Sequence, residues 1–295
     1  MSRIRVDPDH AGFTLVELLV SIAVLLLVVA GVGTMYVANK SARISEDLNE
    51  TMEAQLRLGM DRIMFGVRSA GYGVSYLPNS NMAAWIPWVS GMTTDPIVTA
   101  GVDADHPDTM SIALCTSQPI GTFAAPYTAG ATTFTIDATG ASAVDSANKR
   151  LIYINDGELA QVYSQLGTAI TPDTNPTVTG PQPLTKSYNT GTPICRVDVV
   201  TYSVCPPATL SPSVTCPTGI PRNTLYQDDN QSATPNPQVI VDGISNMKIA
   251  VTAAPSGGKA KYSVTLTATA RQFDPLGNST TPATRSLVST ASRRN

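Results

Sequence analysis

At 295 residues with a net charge of −3, the chain has room for one or two domains of roughly 150 residues and has no broad electrostatic drive toward nucleic acid. Its apolar residues concentrate near the N-terminus. The remainder is rich in Thr, Ser, Ala, Gly and Pro and poor in charge, the composition of a β-rich, loop-rich domain exported from the cytoplasm.

Met1 to Gly12 form a short polar leader, in which Asp7 and Asp9 offset Arg3 and Arg5. Glu17 follows at the mouth of an apolar run, and from Leu18 to Asn39 no Asp, Glu, Lys or Arg occurs. As a helix that run rises about 33 Å, close to the roughly 30 Å core of a bilayer. A charge near the centre of a membrane helix costs about 2.5–3.5 kcal/mol, and less near its end, so Glu17 calls for a partner. An ordinary signal peptide fits poorly: the apolar run is too long, it starts on a carboxylate, and no clean A-x-A site follows. Arg3 and Arg5 before the run nearly balance Lys40 and Arg43 after it, so charge alone leaves the orientation open.

Beyond Asn39 the apolar residues become periodic. Ile44, Leu48, Met52, Leu56, Met60, Ile63 or Met64, and Val67 recur every three or four residues, with polar residues between them. That is one stripe on a helix, expected to pack on the protein's own soluble domain, with a coiled-coil partner as the alternative. No proline lies between Phe13 and Leu77. The reading is one helix from Phe13 to Ser69, about 85 Å long, closed by Gly71, Gly73 and Pro78. Gly31 and Gly33, inside the apolar half, either permit close helix packing or mark a bend.

After Pro78 the helical period is lost. Trp85-Ile86-Pro87-Trp88 reads as an aromatic loop, a buried plug in preference to an interface patch. Strands are expected at Thr109–Cys115, Thr132–Ile136, Arg150–Ile154, Glu158–Ser164, Ile194–Cys205, Thr224–Gln227, Met247–Thr252, Tyr262–Gln272 and Arg285–Thr290, with a Pro/Thr-rich loop at Thr171–Pro193. In the strand from Tyr262, Val264, Leu266 and Ala268 alternate with Thr265, Thr267 and Thr269, the pattern of a half-buried antiparallel strand.

All four cysteines, Cys115, Cys195, Cys205 and Cys216, follow the apolar run. An even number in an exported region favours disulfides over zinc, since the region holds one histidine, His106, and no C-x-x-C. This also favours export of the C-terminal part. If Ile194–Cys205 is one strand, Cys195 and Cys205 lie about 33 Å apart and cannot bond, which needs Cα atoms within roughly 7 Å. Cys205–Cys216 and Cys115–Cys195 are then the expected pairs.

Gly12-Phe13-Thr14-Leu15-Val16-Glu17 before an apolar helix resembles the class III signal of type IV prepilins. That resemblance implies cleavage by a prepilin peptidase between Gly12 and Phe13 and N-methylation of Phe13. It places Thr14 and Glu17 at an assembly joint, where Glu17 pairs with the N-terminal amine of a neighbouring subunit. A carboxylate and an ammonium buried together cost far less than either alone. The helix end, Arg68-Ser69-Ala70-Gly71-Tyr72 after Asp61-Arg62-Ile63, resembles PilW-type minor pilins. The strand Tyr262–Arg271 and the ending Arg293-Arg294-Asn295 are similar to that group and to the J-type pseudopilins of type II secretion.

The fold implied is α+β and type IV pilin-like, with a long N-terminal helix packed on an antiparallel β-rich domain. The division is a leader at 1–12, a helix at 13–73 (13–39 transmembrane, 40–70 amphipathic) and a globular domain at 74–295. The function implied is a minor pilin in the initiation or tip complex of a type IV pilus. A J-type pseudopilin and a pilus-tip adhesin are the alternatives. Expected partners are other major and minor pilins, the prepilin peptidase, the inner-membrane assembly platform and the membrane, with no nucleic acid. The protein is expected in the inner membrane, C-terminal domain in the periplasm, and then in the pilus or at the cell surface.

An enzyme is not expected. With a single histidine in the exported region, His-based triads and multi-histidine metal sites are nearly excluded. No G-x-S-x-G or phosphate-cradling loop occurs, and no cofactor is implied. Asp103, Asp105 and Asp108 suit a solvated loop better than a Ca²⁺ site, and Asp228-Asp229-Asn230 takes the same reading. The sequon Asn278-Ser279-Thr280 carries little weight, since the prepilin-like leader implies a prokaryote.

Overall fold

A charge-free apolar run joined without a break to an amphipathic stripe gives one helix, α1 (Leu15–Ser69). The computed structural model describes residues 14–72, 96–115, 120–144, 151–154, 158–175, 178–209, 211, 213–228, 237–253, 259–269 and 284–292. Gly73, Pro78, the Trp85/Trp88 loop, Asp229, Asn230, the sequon and the last three residues lie outside them. The chain divides into two units, residues 1–50 with 272–282 and residues 51–271 with 283–295.

In the first unit α1 is apolar and exposed from Leu15 to Asn39. Its serine and threonine hydroxyls bond within the helix: Ser21 Oγ donates to Glu17 O (2.8 Å) and Thr34 Oγ1 to Gly31 O (2.8 Å). This satisfies the polar groups of a segment meant for an apolar solvent.

In the second unit the stripe turns inward. Met52, Leu56, Met60, Ile63, Met64 and Val67 are buried, while Ile44 and Leu48, further back in the first unit, are half-buried. Two glycines one heptad apart, Gly59 and Gly66, bring the helix close to its sheets. A Cβ on Gly66 would lie 2.8 Å from Tyr202 Oη, and one on Gly59 would lie 3.0 Å from Leu225 Cδ2. The helix ends at Gly71 (φ 70°), whose N–H donates to Ala113 O (2.8 Å), and Cys115 N–H donates to Tyr72 O (2.9 Å). A left-handed glycine is the usual helix stop, and here it also ties the helix end to a strand.

The strands in chain order are β1 (Ile97–Thr99), β2 (Thr109–Cys115), β3 (Gly121–Thr122), β4 (Phe134–Thr135), β5 (Leu151–Ile154), β6 (Glu158–Leu166), β7 (Ala169–Asp173), β8 (Pro193–Cys205), β9 (Thr224–Asp228), β10 (Pro237–Asp242), β11 (Ile244–Thr252), β12 (Lys261–Thr269) and β13 (Thr284–Ser292). A short helix, α2 (Ala138–Ala143), is capped by Asp137. Among the described residues all strand pairings are antiparallel, and ten strands form one sheet around β8. One edge of β8 takes β3 and β2, and the other takes β5 and β9. A second sheet runs β11-β12-β13. The stripe of α1 packs into one core with Met110, Ile112, Tyr202, Leu225, Met247, Val264 and Leu266, drawn from both sheets. A separate core gathers Phe123, Tyr127, Phe134 and Tyr188, with ring centroids 4.8 Å apart for Phe123–Phe134 and 5.1 Å for Phe123–Tyr188.

Four sequence expectations need adjustment. The segment at Thr171 is not yet loop: β7 spans Ala169–Asp173, and β1, β3, β10 and α2 lie outside the expected elements. Pro172 is tolerated because β4 pairs β7 only at Ala169 and Ile170, which leaves an edge at the proline beside a bulge between Val162 and Ser164. The strand expected from Thr132 begins at Phe134. Asp108 is not solvated. It is buried, and its carboxylate accepts from Gly101 N (2.9 Å), Ile249 N (2.7 Å) and Lys248 Nζ (3.2 Å).

Candidate functional site

The head of α1 is the candidate site. Thr14 precedes the first helical residue, and Glu17 stands three positions on, the T-x-x-E spacing of a capping box. The structure shows both halves of that box. Glu17 N–H donates to Thr14 Oγ1 (3.3 Å), and Thr14 N–H donates to Glu17 Oε2 (3.3 Å). Thr14 Oγ1 is also 3.2 Å from Glu17 Oε2. The carboxylate therefore satisfies orphan donors at the positive end of the helix. Both side chains are exposed, as is every residue from Leu15 to Asn39. Glu17 already has a partner within its own turn, and its outer face stays open to a second one. The T-x-x-E signal was present in the sequence, but the cap it forms was not anticipated.

Gly12 and Phe13 lie outside the described residues. The cysteines are joined as Cys115–Cys195 (Cα–Cα 5.8 Å) and Cys205–Cys216 (Cα–Cα 5.5 Å). The first links the end of β2 to the start of β8, and the second closes the loop after β8. The acidic loop wraps a cation of its own. Lys248 Nζ donates to Asp103 O (2.7 Å), His106 O (2.5 Å) and Asp108 Oδ1 (3.2 Å). An ammonium thus fills a cradle of two backbone carbonyls and the Asp108 carboxylate. Among the described residues no group of three or more His, Cys, Asp or Glu is placed to hold a metal ion.

Residues 8–33 match the family model of the prokaryotic N-terminal methylation motif. The match spans Gly12, Phe13, Thr14, Glu17 and the apolar run as far as Gly33, so it includes the capped helix head. It supports a type IV pilin-like prepilin processed by a prepilin peptidase, a structural protein of the pilin type with pilin assembly partners. The apolar half of α1 fits the single-pass membrane anchor of such prepilins. No curated protein and no solved structure matches the chain.

Proposed function

We propose that this protein is a minor pilin of the PilW type that takes part in assembly of a type IV pilus. The observation that carries the reading is the methylation motif on a capped helix head, with one carboxylate at the mouth of a charge-free run. The prepilin is cut between Gly12 and Phe13, and Phe13 is methylated. The apolar half of α1 waits in the inner membrane with the disulfide-bonded domain in the periplasm. On assembly, neighbouring helices replace lipid around it. Glu17 then exchanges part of its bond to Thr14 for a neighbour's N-terminal amine, a charge-assisted contact that sets the axial register.

Mass spectrometry of the mature N-terminus is the test. Methylated Phe13 is expected, and an intact Met1 in wild-type cells would sink the reading. Glu17→Ala should leave a processed, membrane-bound protein whose incorporation into filaments drops at least tenfold. A deletion strain that keeps its pili but loses protein secretion would move the assignment to a J-type pseudopilin.

A further inference from the structure

The one histidine beyond the leader does not stand alone. His106 Nδ1 lies 2.7 Å from Asp103 Oδ1, and His106 Nε2 lies 3.1 Å from Ser213 Oγ. The carboxylate can only accept, so it fixes the proton on Nδ1 of the neutral ring. Nε2 is left as the acceptor for the Ser213 hydroxyl. This is the order of groups that activates a serine: nucleophile, base, and a carboxylate that orients the base. A triad needs only one histidine, so the count of one that argued against a triad in the sequence does not exclude this one.

Two segments far apart in sequence supply the three groups, and each is tied down separately. The Asp103–His106 turn is held from beneath by Lys248 Nζ, on Asp103 O and His106 O, and by Asn246 Nδ2 on Ala104 O (3.0 Å). Asp103 Oδ1 also accepts the N–H groups of Asp105 and His106. The bond from the His106 side chain is the first cause that holds the Asp103 carboxyl below its usual range. The Ser213 segment is closed by Cys205–Cys216 and braced by Arg222 Nη1 on Pro206 O (3.2 Å) and Ser211 O (3.3 Å). Buried Ser211 Oγ donates to Asp105 O (2.8 Å) and joins the two segments. Bonds of this kind preorganise a reactive group. Ser213 itself is exposed and open to a substrate from solvent.

We propose that Ser213, with His106 as its base and Asp103 as the positioning residue, is a nucleophile toward small carboxylic esters. Ser213 Oγ bonds to the acyl carbon while its proton passes to His106 Nε2. The bond from that carbon to the alcohol oxygen breaks, and Nε2 returns the proton to the leaving alkoxide. Water, deprotonated by Nε2, then adds to the acyl carbon; the bond from that carbon to Ser213 Oγ breaks, Oγ takes the proton from Nε2, and the carboxylic acid leaves. This chemistry is independent of the helix head and of filament assembly.

The test uses the full mature protein in detergent, treated with an alkyl fluorophosphonate and, separately, with 4-nitrophenyl acetate. Adducts are mapped by peptide mass. Ser286 is the internal control, an exposed serine whose Oγ pairs with the Thr267 hydroxyl instead of an imidazole. General-base activation predicts that Ser213 reacts about 100-fold faster than Ser286. Ser213→Ala should abolish the adduct and the nitrophenol release, and His106→Gln should bring the Ser213 rate down to that of Ser286. Asp103→Asn should slow labelling and change its pH profile, which a purely structural role would not do. Equal rates at Ser213 and Ser286 in the wild-type protein would overturn the proposal. So would an unchanged Ser213 rate in His106→Gln with Cys205–Cys216 intact.

Discussion

The two halves of α1 are one helix under two different sets of demands. From Leu15 to Asn39 it is apolar on every side and buries nothing within its own chain. From Thr51 to Ser69 one stripe is buried and the opposite side carries charge. The glycines show the same contrast. Gly31 and Gly33 have nothing within 4 Å of a Cβ, whereas Gly59 and Gly66 have side chains pressed against them. One half has the length and apolar surface of a membrane anchor, and the other packs on a β-domain. A helix buried on one stripe gets its stability from tertiary packing, whereas a helix apolar all round needs an apolar environment.

Six substitutions test that contrast, from the largest effect to the smallest, with Leu25→Ala as the control for the first. Ile63→Ala removes a fully buried side chain and should cost the domain about 2–5 kcal/mol. Leu25→Ala in the exposed half should leave denaturant unfolding of the domain unchanged, and a comparable loss there would break the contrast. Gly66→Ala drives a methyl toward Tyr202 and Ile112, both buried, and should destabilise by about 1–3 kcal/mol. Gly31→Ala meets open space and should instead favour the helix by roughly 1 kcal/mol, read as helicity in detergent. Thr14→Val deletes the cap and should cost about 1 kcal/mol. Hydrogen exchange should register that loss in the first turn of α1, with the melting of the domain unmoved. Arg57→Ala breaks the exposed pair with Glu53 (2.7 Å) and should change stability by no more than about 0.5 kcal/mol.

The reactive-serine geometry was beyond reach of local pattern. Asp103 and His106 are three residues apart, but Ser213 comes from a disulfide loop more than a hundred residues later. No spacing rule joins those segments; the bond from Ser211 to Asp105 does, while Lys248 holds the Asp103–His106 turn. The capping box is the reverse case. Thr14 and Glu17 lie within one turn, so the T-x-x-E spacing alone makes the cap legible.

Local periodicity determined α1 on its own. A charge-free run followed by apolar residues every three or four positions admits one helix with two kinds of surface, since both halves share the 3.6-residue repeat. Gly71 as its stop and the strong β2, β8 and β12 strands were equally local. Only the tertiary structure decided which glycines matter, because close approach depends on what lies opposite, and Tyr202 and Leu225 stand far from Gly66 and Gly59 in sequence. It also decided that β7 could carry Pro172 and that Asp108 would be buried against a lysine. It set the sheet order around β8, where five strands separated by long loops meet. Those outcomes depend on contacts between distant segments, and such contacts leave no period in the chain.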